Sequence, residues 1–90
     1  MYTVSYDSRV LEDLEKINVS TRKRIRKSIE SRLTTQPEMF GKPLRQSLAG
    51  FRVLRVGDHR IVFLIKHKEV LIFLIGNREY IYKEAQKRFG

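Results

Sequence analysis

Phe51-Arg52-Val53-Leu54-Arg55-Val56-Gly57-Asp58-His59-Arg60-Ile61-Val62-Phe63-Leu64-Ile65-Lys66 reads as two strands joined by a two-residue turn. β-Branched and aromatic residues dominate both arms, and Gly57 supplies the positive φ that a tight hairpin turn needs. In an antiparallel ladder closed by that turn, Val56 faces His59 and Arg55 lies directly opposite Arg60. A second apolar run, Glu69 to Ile75, follows the break at His67-Lys68 and extends the hairpin into a meander. Unbroken pairing across this second turn places Ile75 opposite Arg60. It also brings Asn77 and Arg78 to the same end of the sheet as Gly57.

Strict alternation sorts the side chains into two faces. Phe51, Val53, Val62, Leu64, Leu71 and Phe73 share the face of Arg55 and Arg60. Leu54, Ile61, Phe63, Ile65, Val70, Ile72 and Leu74 point the other way and make the more apolar surface. The second face is the expected seat of a helical layer, and the arginine face is expected to stay partly open. Like charges directly opposed on a strand pair destabilise it, so Arg55 and Arg60 contribute to the fold only with an anion between them. The alternative is ordinary surface pairing of the arginines with Asp58, Glu79 or Glu84.

Upstream, Tyr2 to Tyr6 alternates as a short first strand, and Asp7 or Ser8 can cap a helix carrying Val10, Leu11, Leu14 and Ile17 at three- and four-residue spacing. Ser20 is a candidate cap for a second, longer helix with Ile25, Ile29 and Leu33 on one stripe, ending before Pro37. Residues 36–50, with two prolines and two glycines, read as a loop anchored by Phe40, Leu44 and Leu48. The segment from Tyr82 to Phe89 can add a helical turn or two, with little apolar surface to hold it. The expected fold is α+β: an N-terminal strand and helix hairpin packed on a twisted antiparallel sheet, β-α-α-β-β-β with a short C-terminal helix, as one domain over residues 1–90.

The chain has 19 Lys and Arg against 10 Asp and Glu, a formal charge of +9, and the excess is not uniform. Residues 1–20 are net acidic, whereas the second helix carries Arg22, Lys23, Arg24, Arg26, Lys27 and Arg32 against Glu30 alone. Such a balance favours a polyanion or an acidic protein partner, although a basic helix can also be a plain solvated face. No cysteine is present, which excludes disulfides, thiolate nucleophiles and sulfur-bound zinc, and His59 and His67 alone cannot hold a metal. No cofactor is expected. The apolar runs are too short to span a bilayer, so the expectation is a cytoplasmic protein with no membrane partner.

The stretch Gly50 to Phe63 resembles the RelE/ParE superfamily of type II toxin-antitoxin toxins, whose core is a Leu-Arg-Val-Gly-Asp-Tyr-Arg motif followed by an apolar strand; here His59 replaces the tyrosine. Asp13-Leu14 in the first helix, the basic second helix, Gly41-Lys42-Pro43-Leu44, Ile75-Gly76-Asn77-Arg78 and Tyr82 are similar too, over about the full length. The resemblance implies a microbial RNase-like fold, an antitoxin partner, and, for the RelE branch, metal-independent cleavage of mRNA in the ribosomal A site. Arg55, Arg60, Arg78 and Tyr82 then correspond to the active-site arginines and tyrosine. Arg52 corresponds to a neighbouring basic position, and Arg22, Lys23, Arg26 and Lys27 would contact RNA. Asn77 stands where many relatives carry histidine, and Val53 and Leu54 where an extra lysine is found. The ParE branch shares the fold and poisons DNA gyrase instead; a non-catalytic nucleic-acid-binding module is the third reading.

Overall fold

In the computed structural model, which describes all residues from Met1 to Gly90, the Gly57-Asp58 turn closes the expected hairpin. Gly57 has φ +60, and strand β3 (Arg52–Val56) pairs with β4 (His59–Lys66) so that Arg55 is the partner of Arg60 and Val56 of His59. β5 (Glu69–Asn77) follows antiparallel to β4, with His67 in the left-handed conformation at the turn. β1 (Thr3–Tyr6) joins β5 in parallel, and the two-residue β2 (Lys42–Pro43) edges β3. The sheet order β1-β5-β4-β3-β2 is therefore mixed rather than wholly antiparallel.

The β4–β5 ladder corrects the expected register. Pairs from Lys66–Glu69 to Phe63–Ile72 run as anticipated, but Val62 then pairs with Leu74, which leaves Phe73 as an extra residue. Arg60 consequently faces Gly76 and not Ile75. A bulge of this kind puts two consecutive residues on one side of the sheet. Leu74 thus moves to the arginine face, where it packs with Val62, and Ile75 moves to the helix face. Both become fully buried, and Phe73 completes an aromatic trio with Phe51 and Phe89, ring centroids 4.9 to 5.5 Å apart.

Helices α1 (Val10–Glu15) and α2 (Val19–Ser28) cover the expected face, burying Val10, Ile17, Ile25 and Ile29 against Leu54, Ile61, Phe63 and Ile72. Asn18, not Ser20, caps α2: its side-chain oxygen accepts from Thr21 N–H at 2.9 Å. A stripe at steps of four drifts around an ideal α-helix of 3.6 residues per turn. Here α2 continues into a wider π-helical turn, Ile29–Leu33, and the widening keeps Leu33 beneath Ile29 in the core. In the following segment, α3 (Pro37–Phe40) and a 3₁₀ turn (Gln46–Leu48) replace the expected loop. Leu48 is buried and Leu44 packs beside it, but Phe40 lies at the surface, under the Arg32 guanidinium.

The larger correction concerns α4 (Ile81–Phe89), which forms over the expected segment but is held by apolar packing it was expected to lack. It buries Ile81 and Ala85 against Leu48, Val62 and Leu74, so part of the arginine face is covered. Its anchor is polar. Arg88 donates through Nη2 to Asp13 Oδ1 (2.7 Å) and through Nη1 to Asp13 Oδ2 and the Phe73 carbonyl (3.2 Å each), while Nε reaches Glu84 at 3.0 Å. Asp13 Oδ2 also accepts from Ile75 N–H at 3.1 Å. The parallel ladder ends at Tyr6–Ile72, and these side chains take up main-chain groups of β5 beyond that point. Burial opposes the Arg88 charge, but hydrogen bonds to Asp13 and Glu84 outweigh it and hold the pKa above its ordinary value.

Arg52 lies on the helix side of the sheet, paired across from Phe63. Its Nη2 donates to the carbonyls of Glu38 (2.7 Å) and Gly41 (2.5 Å), bracing the corner from α3 into β2. Gly41 must be glycine there, since a Cβ would stand 2.3 Å from the Phe63 ring.

Two outcomes follow, each read by urea unfolding. Arg88→Ala leaves the Asp13 carboxylate buried and unpaired, and should cost about 3–5 kcal/mol, whereas Arg26→Ala, which removes only the exposed pair with Glu30, should leave the midpoint unchanged. Arg52→Ala should cost about 1–3 kcal/mol through the orphaned carbonyls, while Arg55→Ala should leave stability unchanged or slightly raised. Equal effects of Arg52→Ala and Arg55→Ala would contradict their placement on opposite faces.

Candidate functional site

The Gly57-Asp58 turn organises one end of the sheet. Arg55 and Arg60 sit opposite each other on β3 and β4 immediately behind it. Arg55 is exposed; Arg60 is half-buried and folds back over the turn, its Nη1 donating to the carbonyls of Gly57 and His59 at 3.0 Å each. The main chain ties Arg78 to the same turn, because its N–H donates to the Asp58 carbonyl at 2.8 Å. Asn77 Oδ1 accepts from the N–H groups of Glu79 and Tyr80, both at 3.0 Å, so the residue next to Arg78 turns the chain into α4. Tyr82 follows in the first turn of that helix, 45% exposed.

None of these arginines is neutralised. The ion pairs of the molecule are Arg9–Asp7, Arg26–Glu30, Arg88–Asp13 and Arg88–Glu84. Asp58 and Glu79 pair with no cation and Glu84 is taken by Arg88, so the alternative of ordinary salt bridges at Arg55, Arg60 and Arg78 does not hold. Guanidinium groups left outside any ion pair can take up an anion, and their planar forks suit the oxygens of a phosphodiester. No group of three or more His, Asp or Glu side chains is placed to hold a metal ion.

The remaining candidates are dispersed. Arg52 is on the opposite face, committed to main-chain carbonyls. His59 points to the helix side, as alternation requires, into a small cleft with Asp13, Ile17 and Tyr80. The Tyr80 phenol is pushed above its ordinary pKa by burial, reinforced by the Asp13 and Glu84 carboxylates. His67 is exposed at the distal turn. Arg22, Lys23 and Arg26 line a groove of about 520 Å³ between α1 and α2, whose floor and walls include Tyr6, Leu11, Leu14, Val19 and Ile25. Leu11 and Val19 are 65% and 56% exposed there. Lys27 is exposed beyond it. The α2 residue that does reach the Gly57 turn is Arg24, whose guanidinium lies against that glycine. Helical periodicity alone gives no sign of this, because which flank of α2 meets the turn depends on how the helix lies across the sheet.

Residues 4–82 match the family model described as ParE toxin of the type II toxin-antitoxin system parDE. The chain is 31% identical over 84 residues to toxin RelG of Mycobacterium tuberculosis, covering 91% of this chain and 97% of that protein. Among solved structures it is similar to the RelBE2 toxin-antitoxin complex of M. tuberculosis, with TM-score 0.81, 30% identity, and 86% and 98% of the two chains covered. The isolated RelE toxin of E. coli shares the fold at TM-score 0.71 and 23% identity, with 98% of each chain covered. With its arginine-bearing hairpin, helix pair and near-full-length matches, the chain belongs to the RelE/ParE superfamily of type II toxin-antitoxin toxins.

Proposed function

We propose that this toxin is a metal-independent endoribonuclease that cleaves mRNA in the ribosomal A site and so halts translation in the cytoplasm. The observation that carries the reading is the set of three unneutralised arginines, Arg55, Arg60 and Arg78, gathered at one turn with Tyr82 exposed on the helix that starts there. RNA supplies its own nucleophile. The 2′-OH attacks the adjacent phosphorus, the P–O5′ bond breaks, and the products are a 2′,3′-cyclic phosphate and a 5′-OH. Arg60 and Arg78 bind the non-bridging oxygens and stabilise the charge that builds there in the transition state. Arg55 holds a neighbouring phosphate, and Tyr82 offers a stacking face to a base.

Neutralisation falls to a cognate antitoxin. The α1–α2 groove, apolar within and rimmed by Arg22, Lys23 and Arg26, suits an amphipathic helix with acidic flanks. The family model matched is that of ParE, which supports a second reading: inhibition of DNA gyrase without RNA cleavage.

Primer extension on mRNA after brief induction, beside a gyrase supercoiling assay, separates the two. Cuts within translated codons are expected; uncut mRNA with blocked supercoiling moves the protein to the gyrase reading. Arg60→Ala and Arg78→Ala should each lower cleavage on the order of 10²-fold and relieve growth arrest at equal expression, with both variants still folded by circular dichroism. Full toxicity of either variant would show that the site lies elsewhere. Tyr82→Ala should lower cleavage about tenfold, with Tyr82→Phe close to wild type; if the two variants fall equally, the phenol hydroxyl rather than the ring face is what matters.

A further inference from the structure

Two guanidinium groups bracket Gly57. Arg60 Nη1 donates to the Gly57 carbonyl at 3.0 Å, and on the other side Arg24 of α2 fills the space a Cβ would take, with Nη1 3.1 Å, Cζ 3.6 Å and Nη2 3.7 Å from that position. The φ of +60 calls for glycine at the turn, and the missing side chain leaves room beside it for the Arg24 guanidinium. Arg24 is exposed and belongs to no ion pair, and neither does Arg60. Two cations held this near one residue, neither in an ion pair, repel each other, and a bound anion is what turns that repulsion into binding. Arg24 comes from the helix layer and Arg60 from the opposite face of the sheet, so a ligand that touches both must pass over the sheet end.

We propose that the Gly57 turn is a phosphate subsite in which Arg24 and Arg60 share one phosphodiester of a single-stranded RNA. That phosphodiester is the one Arg78 also holds, and the strand runs on from it to the basic flank of α2 on one side and to Arg55 on the other. This rests on RNA being the substrate, as argued above, and adds to it a residue and a path. Arg24 reaches the phosphate from the α2 side, and its share is in binding.

The test uses a short, fluorescently labelled single-stranded RNA methylated at every 2′-OH, which binds but cannot be cleaved, with affinity followed by anisotropy across a salt series. Each phosphate neutralised on a single strand contributes about 0.7 to the slope of log K against log salt. Arg24→Gln should lower affinity and reduce the slope by part of that amount, since Arg60 stays on the phosphate, and keep the wild-type melting temperature, while Lys66→Gln, at the far end of β4, should leave the slope unchanged. The Arg24→Gln/Arg60→Gln double variant should lose less affinity than the two single losses combined, since both contacts serve one phosphate. An unchanged slope in Arg24→Gln, an equal reduction in Lys66→Gln, or fully additive losses would each overturn the shared subsite while leaving RNA as the substrate. Wild-type protein that binds no RNA at the lowest salt would instead remove the substrate reading itself, and the subsite with it.

Discussion

The contact between Asp13 and Arg88 is the point on which the two halves of the molecule meet. One carboxylate, 1% exposed, receives two guanidinium bonds and a main-chain N–H; the same guanidinium reaches the Phe73 carbonyl. α1, β5 and α4 are therefore joined through a single buried cluster on which every hydrogen bond is charge-assisted or made to a strand edge. A buried pair of this kind gains little over apolar packing when intact, but losing one member is costly, and so it selects one arrangement of elements over near alternatives. Arg9, over the Phe89 ring at 5.5 Å, adds a second link between the start of α1 and the end of α4.

With α4 fixed, the sheet has two unlike faces. One is sealed by the helix pair. The other is divided: Val62, Leu74 and the Phe51–Phe73–Phe89 trio lie near α4, while Arg55 and Arg60 stand uncovered by the Gly57 turn. At the uncovered end the arginines form no ion pair, although 10 acidic residues are available in the chain. Several of those are spent elsewhere, at Asp7, Asp13, Glu30 and Glu84, on cations that hold structure. The division of the arginines into braced and free ones is thus a division between scaffold and binding surface.

How much of this can be read from the chain depends on the kind of signal. The β3–β4 register and the Arg55–Arg60 opposition follow from a two-residue turn flanked by β-branched runs, because turn length alone fixes the pairing. The bulge at Phe73 is invisible in the same way of reading, since Val70 to Ile75 is apolar at every position and offers no polar residue to betray a shift of phase. Arg52 and Arg55 look equivalent in the sequence and differ only through strand parity and a nearby loop that presents carbonyls. α4 is underestimated because Arg88 counts as a solvated charge until Asp13, 75 residues away, is known to be beneath it. Arg24 escapes notice for a related reason: its meaning lies in a contact across layers.

The parallel ladder carries a consequence for the order in which the protein comes into being. β1 has its partner in β5, the last strand along the chain, with Thr3 against Glu69 and Tyr6 against Ile72. Non-local pairing of this sort cannot begin while the later strand is still within the ribosome. The β3–β4 hairpin is local in the chain, but Arg78 joins it only through the end of β5, and Asp13 reaches Arg88 across 75 residues. The arginine cluster, which needs both the hairpin and Arg78 beyond it, is thus completed only once strands distant in the chain have paired.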